Sequence, residues 1–283
     1  MRAFNKQALN LLIDAVCFIF RERSLSLAKI VLPLLPYGKA VAIASILIGK
    51  FPTNDASRKV YESARPRWKH AFQFHLNPFC PLSKLFALTG LFQPEMTEEL
   101  LKAAYQGVFV DIGANFGYFS VLWLTKQKGD ALAIEPIRQN YDLLAANLRP
   151  FGCRAKTLMC CLGEHHGEVS MSYDPQFPML SKISENSAHS QKLPMRTLVE
   201  VFENEGLSSV DVIKCDAEGH DVRILNNARE LFEARSVRVL FFEPETWDRK
   251  IDPKLEDLSQ LLLANGYRAI PNKVDSCYSL GEN

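Results

Sequence analysis

The feature that most constrains the fold is the segment 108–120, VFVDIGANFGYFS, in which an apolar run meets an acidic residue and then two glycines. Residues 108–112 have the β-branched and aromatic character of a buried parallel strand, and an apolar helical pattern resumes at residue 118. Gly113 and Gly117 would let the backbone approach a ligand closely, and the following helix would present free N–H groups at its N-terminus. The segment therefore predicts a strand, a glycine turn and a helix, with a nucleotide site at the turn.

The kind of nucleotide is narrowed by a second apolar run, 131–134, which ends in Glu135. An acidic side chain at this point suits hydrogen bonding to ribose hydroxyls. The dinucleotide fingerprint is missing, because three residues other than glycine separate Gly113 from Gly117. This pattern disfavours NAD and favours a ligand without pyrophosphate, such as S-adenosylmethionine, whose ammonium group Asp111 could face. The alternative is an ordinary strand–turn–helix unit whose glycines serve packing alone.

Two motifs in this order, VDIGANFGYFS and VIKCDAEGHDVRIL, give the chain a family resemblance over roughly residues 108–267. The chain resembles the FkbM-type S-adenosylmethionine-dependent methyltransferases. Members of that family commonly carry isoleucine or valine where Cys215 and Ala217 stand, and glutamate where Asp221 stands, so the polar positions are retained. The resemblance implies an α/β fold of the class I methyltransferase type: a Rossmann-like, doubly wound, mostly parallel seven-stranded sheet. It also implies O-methylation of a small-molecule or carbohydrate hydroxyl.

The hydrophobic pattern of the chain agrees with such a sheet, because apolar runs alternate with helical patterns. Strands are predicted at 108–112, 131–135, 156–161, 210–215, 237–243, 266–270 and 276–280, the last two forming an antiparallel pair. The glycine-flanked segment 163–167 predicts a turn before a further strand at 168–173. Several prolines and serines in 174–195 predict a long loop there, which we interpret as a candidate lid over the acceptor site.

The cofactor residues follow from the rule that open α/β sheets bind ligands beyond the carboxyl ends of their strands. By analogy with the fold, the residues after the third strand would flank adenine, and Pro136 would offer an apolar surface to the ring. Asn115 either contacts the methionine portion of the ligand or caps the turn. The predicted cofactor-binding residues are Asp111, Gly113, Asn115, Gly117, Glu135, Pro136, Cys161 and Leu162.

The catalytic candidates lie in the second motif, since a hydroxyl acceptor must be held in line with the methyl group and must lose its proton. Asp216 and Glu218 are the first candidates for acceptor binding or proton removal, His220 is the third, and Lys214 lies beside them. The alternative is that Asp216 or Glu218 caps the next helix, with Lys214 merely paired to it. Two carboxylates together with Glu243 could hold a divalent cation, although we predict no metal site.

The N-terminal part differs in charge from the rest of the chain. Residues 1–80 hold twelve Lys and Arg against four Asp and Glu, and they include the apolar runs 8–20 and 30–51. We predict a basic, apolar, helical N-terminal extension over 1–80 and a methyltransferase domain over 81–283. Neither run is long and clean enough to span a bilayer. Lying on an anionic membrane surface is one use for this extension, and packing on the catalytic domain is the one that we favour.

The remaining polar residues exclude several classes of protein. The seven cysteines show no disulfide or zinc-finger spacing, so a cytoplasmic protein is expected, with membrane association left open. His165 and His166 are interpreted as part of a turn, not as metal ligands. Nucleic acid is not expected as a partner, since the catalytic part is acidic and lacks an N-P-P-Y-type motif.

The acceptor that we expect is a hydroxyl of a carbohydrate, a glycolipid or another natural product, as in polysaccharide or natural-product tailoring. Two other functions stay open at this point: a non-catalytic binding or scaffold protein that keeps the cofactor fold, and an NAD-dependent oxidoreductase on a similar sheet. The second of these would need the glycine fingerprint that this sequence lacks.

Overall fold

The computed structural model describes residues 23–281 except positions 52, 70, 103, 175–176, 184–189, 247 and 271–275. The predicted apolar run 8–20 and the predicted final turn at 271–275 therefore lie outside the described residues. The chain divides into two compact units, one ending at Pro94 and the other running from Glu95. The predicted boundary between residues 80 and 81 falls within the first unit, and the extent of the catalytic domain stays a prediction.

The first unit is mainly helical. Its elements are α1 (Arg23–Val31), a 3-10 turn (Leu32–Leu34), α2 (Tyr37–Lys50), α3 (Asp55–Tyr61), β1 (Ser63–Ala64), β2 (Phe74–His75) and α4 (Pro81–Thr89). Helices α1 and α2 both pack on α4. Phe74 and Phe86 are fully buried and meet edge to face, with ring centroids 5.2 Å apart. No helix among the described residues is long and apolar enough to cross a membrane.

Two basic side chains of this unit bind backbone carbonyls at the ends of its helices. The Lys29 ammonium donates to the carbonyls of Val60, at 2.8 Å, and Ser63. Burial, and then the charge of Arg65, lower the pKa of Lys29 to about 8. The Arg67 guanidinium donates to three carbonyls, those of Leu32, Leu35 and Thr89. Part of the N-terminal positive charge therefore stabilises the unit itself.

The second unit alternates strands and helices. Its first half holds α5 (Pro94–Lys102), β3 (Val108–Ile112), α6 (Tyr118–Lys126), β4 (Asp130–Ile134), α7 (Arg138–Leu148), β5 (Ala155–Leu158), β6 (Cys161–Leu162), β7 (Gly167–Asp174), β8 (Phe177–Ile183) and β9 (Ser190–Arg196). Its second half holds α8 (Leu198–Glu205), β10 (Val210–Cys215), α9 (Asp221–Asn227), α10 (Arg229–Glu233), β11 (Val237–Phe242), α11 (Leu255–Ala264), β12 (Tyr267–Ile270) and β13 (Ser276–Leu280).

Seven of these strands form one sheet in the order β12-β13-β11-β10-β3-β4-β5. Strand β13 runs antiparallel to both of its neighbours, and the other pairs are parallel. Strands β3, β10 and β11 are buried along nearly their whole length, as expected when helices cover both faces of a parallel sheet. The predicted Rossmann-like, doubly wound, mostly parallel seven-stranded sheet is confirmed, and an N-terminal helical region is present.

A second sheet, of four strands in the order β6-β9-β7-β8, corrects two predictions. The predicted strand 156–161 is divided between β5 in the large sheet and β6 in the small one. The predicted loop at 174–195 was wrong, because β8 and most of β9 lie within it. Pro194 of β9 pairs with β7 only, because β6 pairs with the next two residues, Met195 and Arg196. At Pro194, therefore, β9 has a neighbouring strand on one side only. A proline is tolerated on such an edge, so it was a poor indicator of a loop.

Candidate functional site

The glycine turn after β3 is fixed from both sides by neighbouring backbone. The N–H groups of Gly113 and Ala114 donate to the carbonyl of Ile134, at 2.9 and 3.0 Å. Gly113 has φ +70°, and a β-carbon built on it would lie 1.9 Å from the backbone oxygen of Asp216. Only glycine allows the ends of β3 and β10 to approach this closely. Sequence reasoning placed Gly113 at the site, and the structure adds the Asp216 backbone as its neighbour.

A buried ion network joins the ends of the same two strands. Ser120 Oγ donates to Asp111 Oδ2 at 2.6 Å, and Lys214 Nζ lies 3.5 Å from Asp111 Oδ1 and 3.2 Å from Asp216 Oδ2. Lys214 also donates to the Gly113 carbonyl at 3.2 Å. Among the described residues, none donates a hydrogen bond to Asp111 Oδ1. The predicted pairing of Lys214 with Asp216 is thus present, and it extends to Asp111.

The charges in this network are set by burial and by one another. Burial raises the pKa of Asp111, while Lys214 and the Ser120 hydroxyl lower it. Burial alone lowers the pKa of Lys214, but the carboxylates of Asp216 and Asp111 outweigh it and hold that pKa above its ordinary value. Lys214 therefore carries a positive charge and is poorly suited to accept a proton.

Glu135, at the end of β4, accepts hydrogen bonds from the loops on either side of it. Its Oε2 accepts from the Asn115 N–H at 2.8 Å, and its Oε1 accepts from the Ile137 N–H at 2.9 Å and from Asn140 Nδ2 at 3.4 Å. Burial raises the pKa of Glu135 to about 7, although these backbone donors oppose the rise. Asn115 has φ +53°, so its backbone, which closes the turn, reaches Glu135.

Gly117 begins α6 and lets this helix lie against α7. It has φ +86°, and a β-carbon there would lie 2.7 Å from Leu144 Cδ1. The preceding carbonyl, that of Phe116, accepts a hydrogen bond from Asn147 Nδ2 at 2.8 Å. Gly117 therefore serves the packing of the turn, and its role in cofactor binding stays a prediction.

The four-stranded sheet contacts the segment that follows β4 at Pro136 and Ile137. Gln191 Nε2, on β9, donates to the Pro136 carbonyl at 2.8 Å. Cys161 packs with Ile137, Met171 and other buried side chains, and its Sγ lies 3.3 Å from the sulfur of Met171. Cys161 and Leu162, predicted to follow the third strand of the large sheet, belong to β6 of the small sheet and are buried.

The second motif forms a tight loop between β10 and α9. Glu218 has φ +48°, a conformation that is uncommon outside glycine. Desolvation of its carboxyl group, and then the carboxylates of Asp216 and Glu243, raise the pKa of Glu218 to about 7, even though the residue as a whole is exposed. Partial burial, and then the charge of Arg223, lower the pKa of His220.

Asp221 holds this loop in place, a role that sequence reasoning did not assign. Its buried carboxylate accepts from the N–H of Ala217 at 3.0 Å and from the N–H of Glu243 at 3.2 Å. The residue that caps α9 is His220, whose side chain makes no cap hydrogen bond, so the alternative of a cap by Asp216 or Glu218 was wrong. A carboxylate just inside a helix start, next to a glycine turn, was the available signal for Asp221.

A family model described as the methyltransferase FkbM domain matches residues 111–269, more than half of the chain. The chain belongs to the FkbM methyltransferase family. A curated protein named methyltransferase sdnD, from Sordaria araneosa, is 27% identical over 184 residues, which cover 52% of this chain and 71% of that protein. The chain is therefore a methyltransferase.

Three solved structures that are similar to this FkbM protein each have 15% sequence identity or less and a TM-score below 0.5. A protein of the NADB-Rossmann superfamily from Streptococcus agalactiae has a TM-score of 0.41 at 15% identity, covering 68% of this chain and 71% of that chain. A precorrin-6y C5,15-methyltransferase from Geobacter metallireducens has a TM-score of 0.38 at 14% identity, covering 66% and 87%. TrmK from M. capricolum, in complex with S-adenosylhomocysteine, has a TM-score of 0.37 at 10% identity, covering 65% and 66%.

The sequence of the FkbM domain left open whether carboxylates, including Glu243, could hold a divalent metal ion. Across the part of the chain that the structure describes, no group of three or more His, Cys, Asp or Glu side chains is arranged to hold a metal ion. His166 Nδ1 instead lies 3.0 Å from Glu200 Oε1, and both side chains are near the surface. The predicted turn before β7 contains His165 and His166, as expected.

The structure brings most of the predicted site residues of the FkbM domain to one edge of the sheet. Lys214 contacts both Asp111 and Asp216, and Glu135 is joined to the same turn through Asn115. Glu218 and His220 lie in the adjoining loop after β10. Cys161 is one side chain away from this edge, in contact with Ile137.

Proposed function

We propose that this chain is an S-adenosylmethionine-dependent O-methyltransferase that acts on a hydroxyl of a carbohydrate, a glycolipid or another small-molecule natural product. The observation that carries the proposal is the acidic edge at the carboxyl ends of β3, β4 and β10, where Asp111, Glu135 and Asp216 adjoin one glycine turn. A carboxylate-rich edge suits a cationic nucleoside, whereas a pyrophosphate would be repelled.

The residues at this edge fit such a cofactor. We assign Glu135 the role of accepting hydrogen bonds from ribose hydroxyls, and the backbone of the 113–117 turn would lie against the ligand. Asp111 Oδ1, buried and without a hydrogen-bond donor among the described residues, is a candidate for meeting an ammonium group directly or through water. Pro136 and the Ile137–Cys161 contact offer apolar surface beside this edge. The bound cofactor would supply a methyl group on a sulfonium centre.

The protein's own part in the transfer is to align the acceptor and to remove its proton. Glu218 is our candidate for the base, because a carboxyl group with a pKa of about 7 is half ionised at neutral pH and can accept a proton. Asp216 is our candidate for binding the acceptor hydroxyl, and His220, neutral at this pH, is an alternative base. We assign Lys214 a positioning role, since its ammonium holds Asp111 and Asp216 in place.

Calorimetric titration of the intact protein with S-adenosylmethionine, S-adenosylhomocysteine and NAD tests the cofactor. We expect binding of the first two with a dissociation constant on the order of micromolar and no binding of NAD. Glu135→Gln should weaken binding about tenfold or more, roughly 1.4 kcal/mol, because an amide cannot accept from two backbone donors and ribose together. Glu168→Gln, which changes a β7 side chain that is 62% exposed, is the matched control and should leave affinity unchanged. Failure of the folded protein to bind either sulfur compound would favour the scaffold alternative, and binding of NAD would favour the oxidoreductase.

The protonation of the two unusual glutamates is measurable without knowing the acceptor. In NMR titrations of protein labelled with ¹³C at glutamate carboxyls, we expect two resonances with midpoints near pH 7, one missing in Glu218→Gln and the other in Glu135→Gln. Methyl transfer should then fall as the pH drops below about 7, since protonated Glu218 cannot accept a proton. Glu164→Gln, which removes a carboxyl whose pKa is lowered by Lys254, should leave both resonances in place. If every glutamate titrated near the ordinary pKa of a glutamate side chain, Glu218 would no longer be our candidate for the base.

A further inference from the structure

The first unit exposes a face of large apolar side chains along α1 and the 3-10 turn that follows it. These are Leu27, Ile30, Val31 and Leu34, with 45%, 68%, 41% and 79% of their surface exposed, and we call them the apolar face. Ile30, Val31 and Leu34 follow Leu27 by three, four and seven residues, and this spacing places the four side chains on one side of a helix. Leu25 and Leu32, on the other side, are buried. A helix at a water-exposed surface normally shows charged or polar residues on its outer side. We therefore expect the apolar face to bind a partner.

The sequence around the apolar face has cations and no anions. Residues 23–54 contain four basic residues and not one Asp or Glu. In α2, Lys39 and Lys50 are exposed near either end, and every residue between them is uncharged. The side of α2 that faces solvent consists of small or apolar residues: Gly38, Ala42, Ser45 and Gly49 are exposed, and Val41, Ile43, Ile46 and Ile48 are partly exposed.

We propose that the apolar face docks this protein on the surface of a bilayer that contains anionic phospholipid. The four apolar side chains would enter the boundary between headgroups and acyl chains, and the lysines near the ends of α2 would meet lipid phosphates. Charge favours this partner over a second copy of the chain, because two copies of segment 23–54, which holds four cations and no anion, would repel each other. A nucleic acid would attract the lysines but would leave the apolar side chains in water.

Docking of this kind goes beyond the methyl-transfer reaction and does not depend on it. Its residues lie in the first unit, and none of them belongs to the acidic edge described above. Within the same unit, Lys29 and Arg67 bind backbone carbonyls. Binding at a bilayer would bring the protein to acceptors that are anchored in lipid.

Sedimentation of the full chain with vesicles tests the proposal. We expect the protein to pellet with vesicles of phosphatidylcholine and phosphatidylglycerol, less with phosphatidylcholine alone, and less as salt is raised. Ile30→Ser combined with Leu34→Ser should lower the partition coefficient roughly tenfold or more, because two exposed apolar groups no longer enter the bilayer. Ile251→Ser with Leu263→Ser, both 58% exposed in the second unit, is the matched control and should bind as the parent does.

Since these side chains lie at the surface, both double variants should keep the parent's circular dichroism and its affinity for S-adenosylmethionine. Equal binding by the parent and Ile30→Ser/Leu34→Ser would place membrane contact elsewhere in the chain and overturn the proposal. No pelleting of the parent with anionic vesicles would also overturn it. If light scattering then showed a concentration-dependent dimer that the double variant lost, the face would be a contact between copies.

Discussion

Replacing Lys214 with methionine is expected to lower the free energy of unfolding by about 3–5 kcal/mol, the usual cost of leaving a buried charge without its partner. Lys214 is 4% exposed and lies against two carboxylates, of which Asp111 is fully buried. Methionine fills a similar volume, so the loss would reflect charge and not a cavity. Urea denaturation followed by circular dichroism measures the change.

The pH dependence of this variant separates charge from packing. Without Lys214, the folded-state pKa of Asp111 rises further, so the folded variant gains stability as the pH falls and Asp111 takes up a proton. The deficit relative to the parent should therefore be larger at mildly alkaline than at mildly acidic pH. Adding Asp111→Asn to Lys214→Met should recover more than half of the loss.

An exposed ion pair gives the contrast. Lys192 is paired with Glu168 at 3.2 Å, with 78% of its side chain exposed. Lys192→Met should therefore cost less than about 1 kcal/mol. A loss of similar size for Lys192→Met and Lys214→Met, or one independent of pH, would contradict the charge network that we describe.

Gly113→Ala is expected to destabilise the protein by about 3 kcal/mol or more and to abolish cofactor binding. A left-handed backbone costs an alanine about 1–2 kcal/mol, and forcing an extra carbon into packed backbone costs about 1–3 kcal/mol. The obstruction is a backbone oxygen, that of Asp216, which is held by the pairing of β3 with β10 and cannot turn aside. Thermal denaturation and titration with S-adenosylmethionine measure the two effects.

Gly206 provides the control, because it has a similar φ of +66° but no atom within 4 Å of the position that a β-carbon would take. Gly206→Ala should therefore show only the backbone cost, about 1–2 kcal/mol, and should bind the cofactor normally. If the two alanine variants were equally stable, the close approach of Asp216 to the turn would not exist in solution.

The central strands β3, β4, β10 and β11 of the large sheet were predictable because they are short, mostly apolar and buried along most of their length. Strands β3, β10 and β13 begin and end at the predicted residues, and β4 is shifted by one. In the four-stranded sheet, β7 was predicted as the strand 168–173, whereas β8 and β9 were missed because they contain prolines and serines, which individually favour loops. Alternation in β9, where Leu193 and Met195 are buried between exposed neighbours, was the signal that composition obscured.

Of the candidate site, the sequence predicted only the residues that lie at the ends of strands. The rule that ligands bind at the carboxyl ends of parallel strands selected Asp111, Glu135 and Asp216. The contacts among them depend on strand register between segments more than a hundred residues apart, as for Lys214 and the Gly113 carbonyl. A local pattern has no information on such a contact. It also gives no information on the hydrogen bonds that join Asp221 to the Glu243 N–H and Glu135 to the Asn115 N–H, which are 22 and 20 residues away along the chain.

The small sheet begins and ends with strands that lie side by side, since β6 pairs with β9 in parallel. The polypeptide thus leaves the main fold after β5 and returns to it before α8 at adjacent points. An inserted segment whose two ends are adjacent can change in length or sequence during evolution without altering the spacing of the elements that it connects. Residues 161–196 are therefore a natural segment to exchange between relatives in chimaeric proteins.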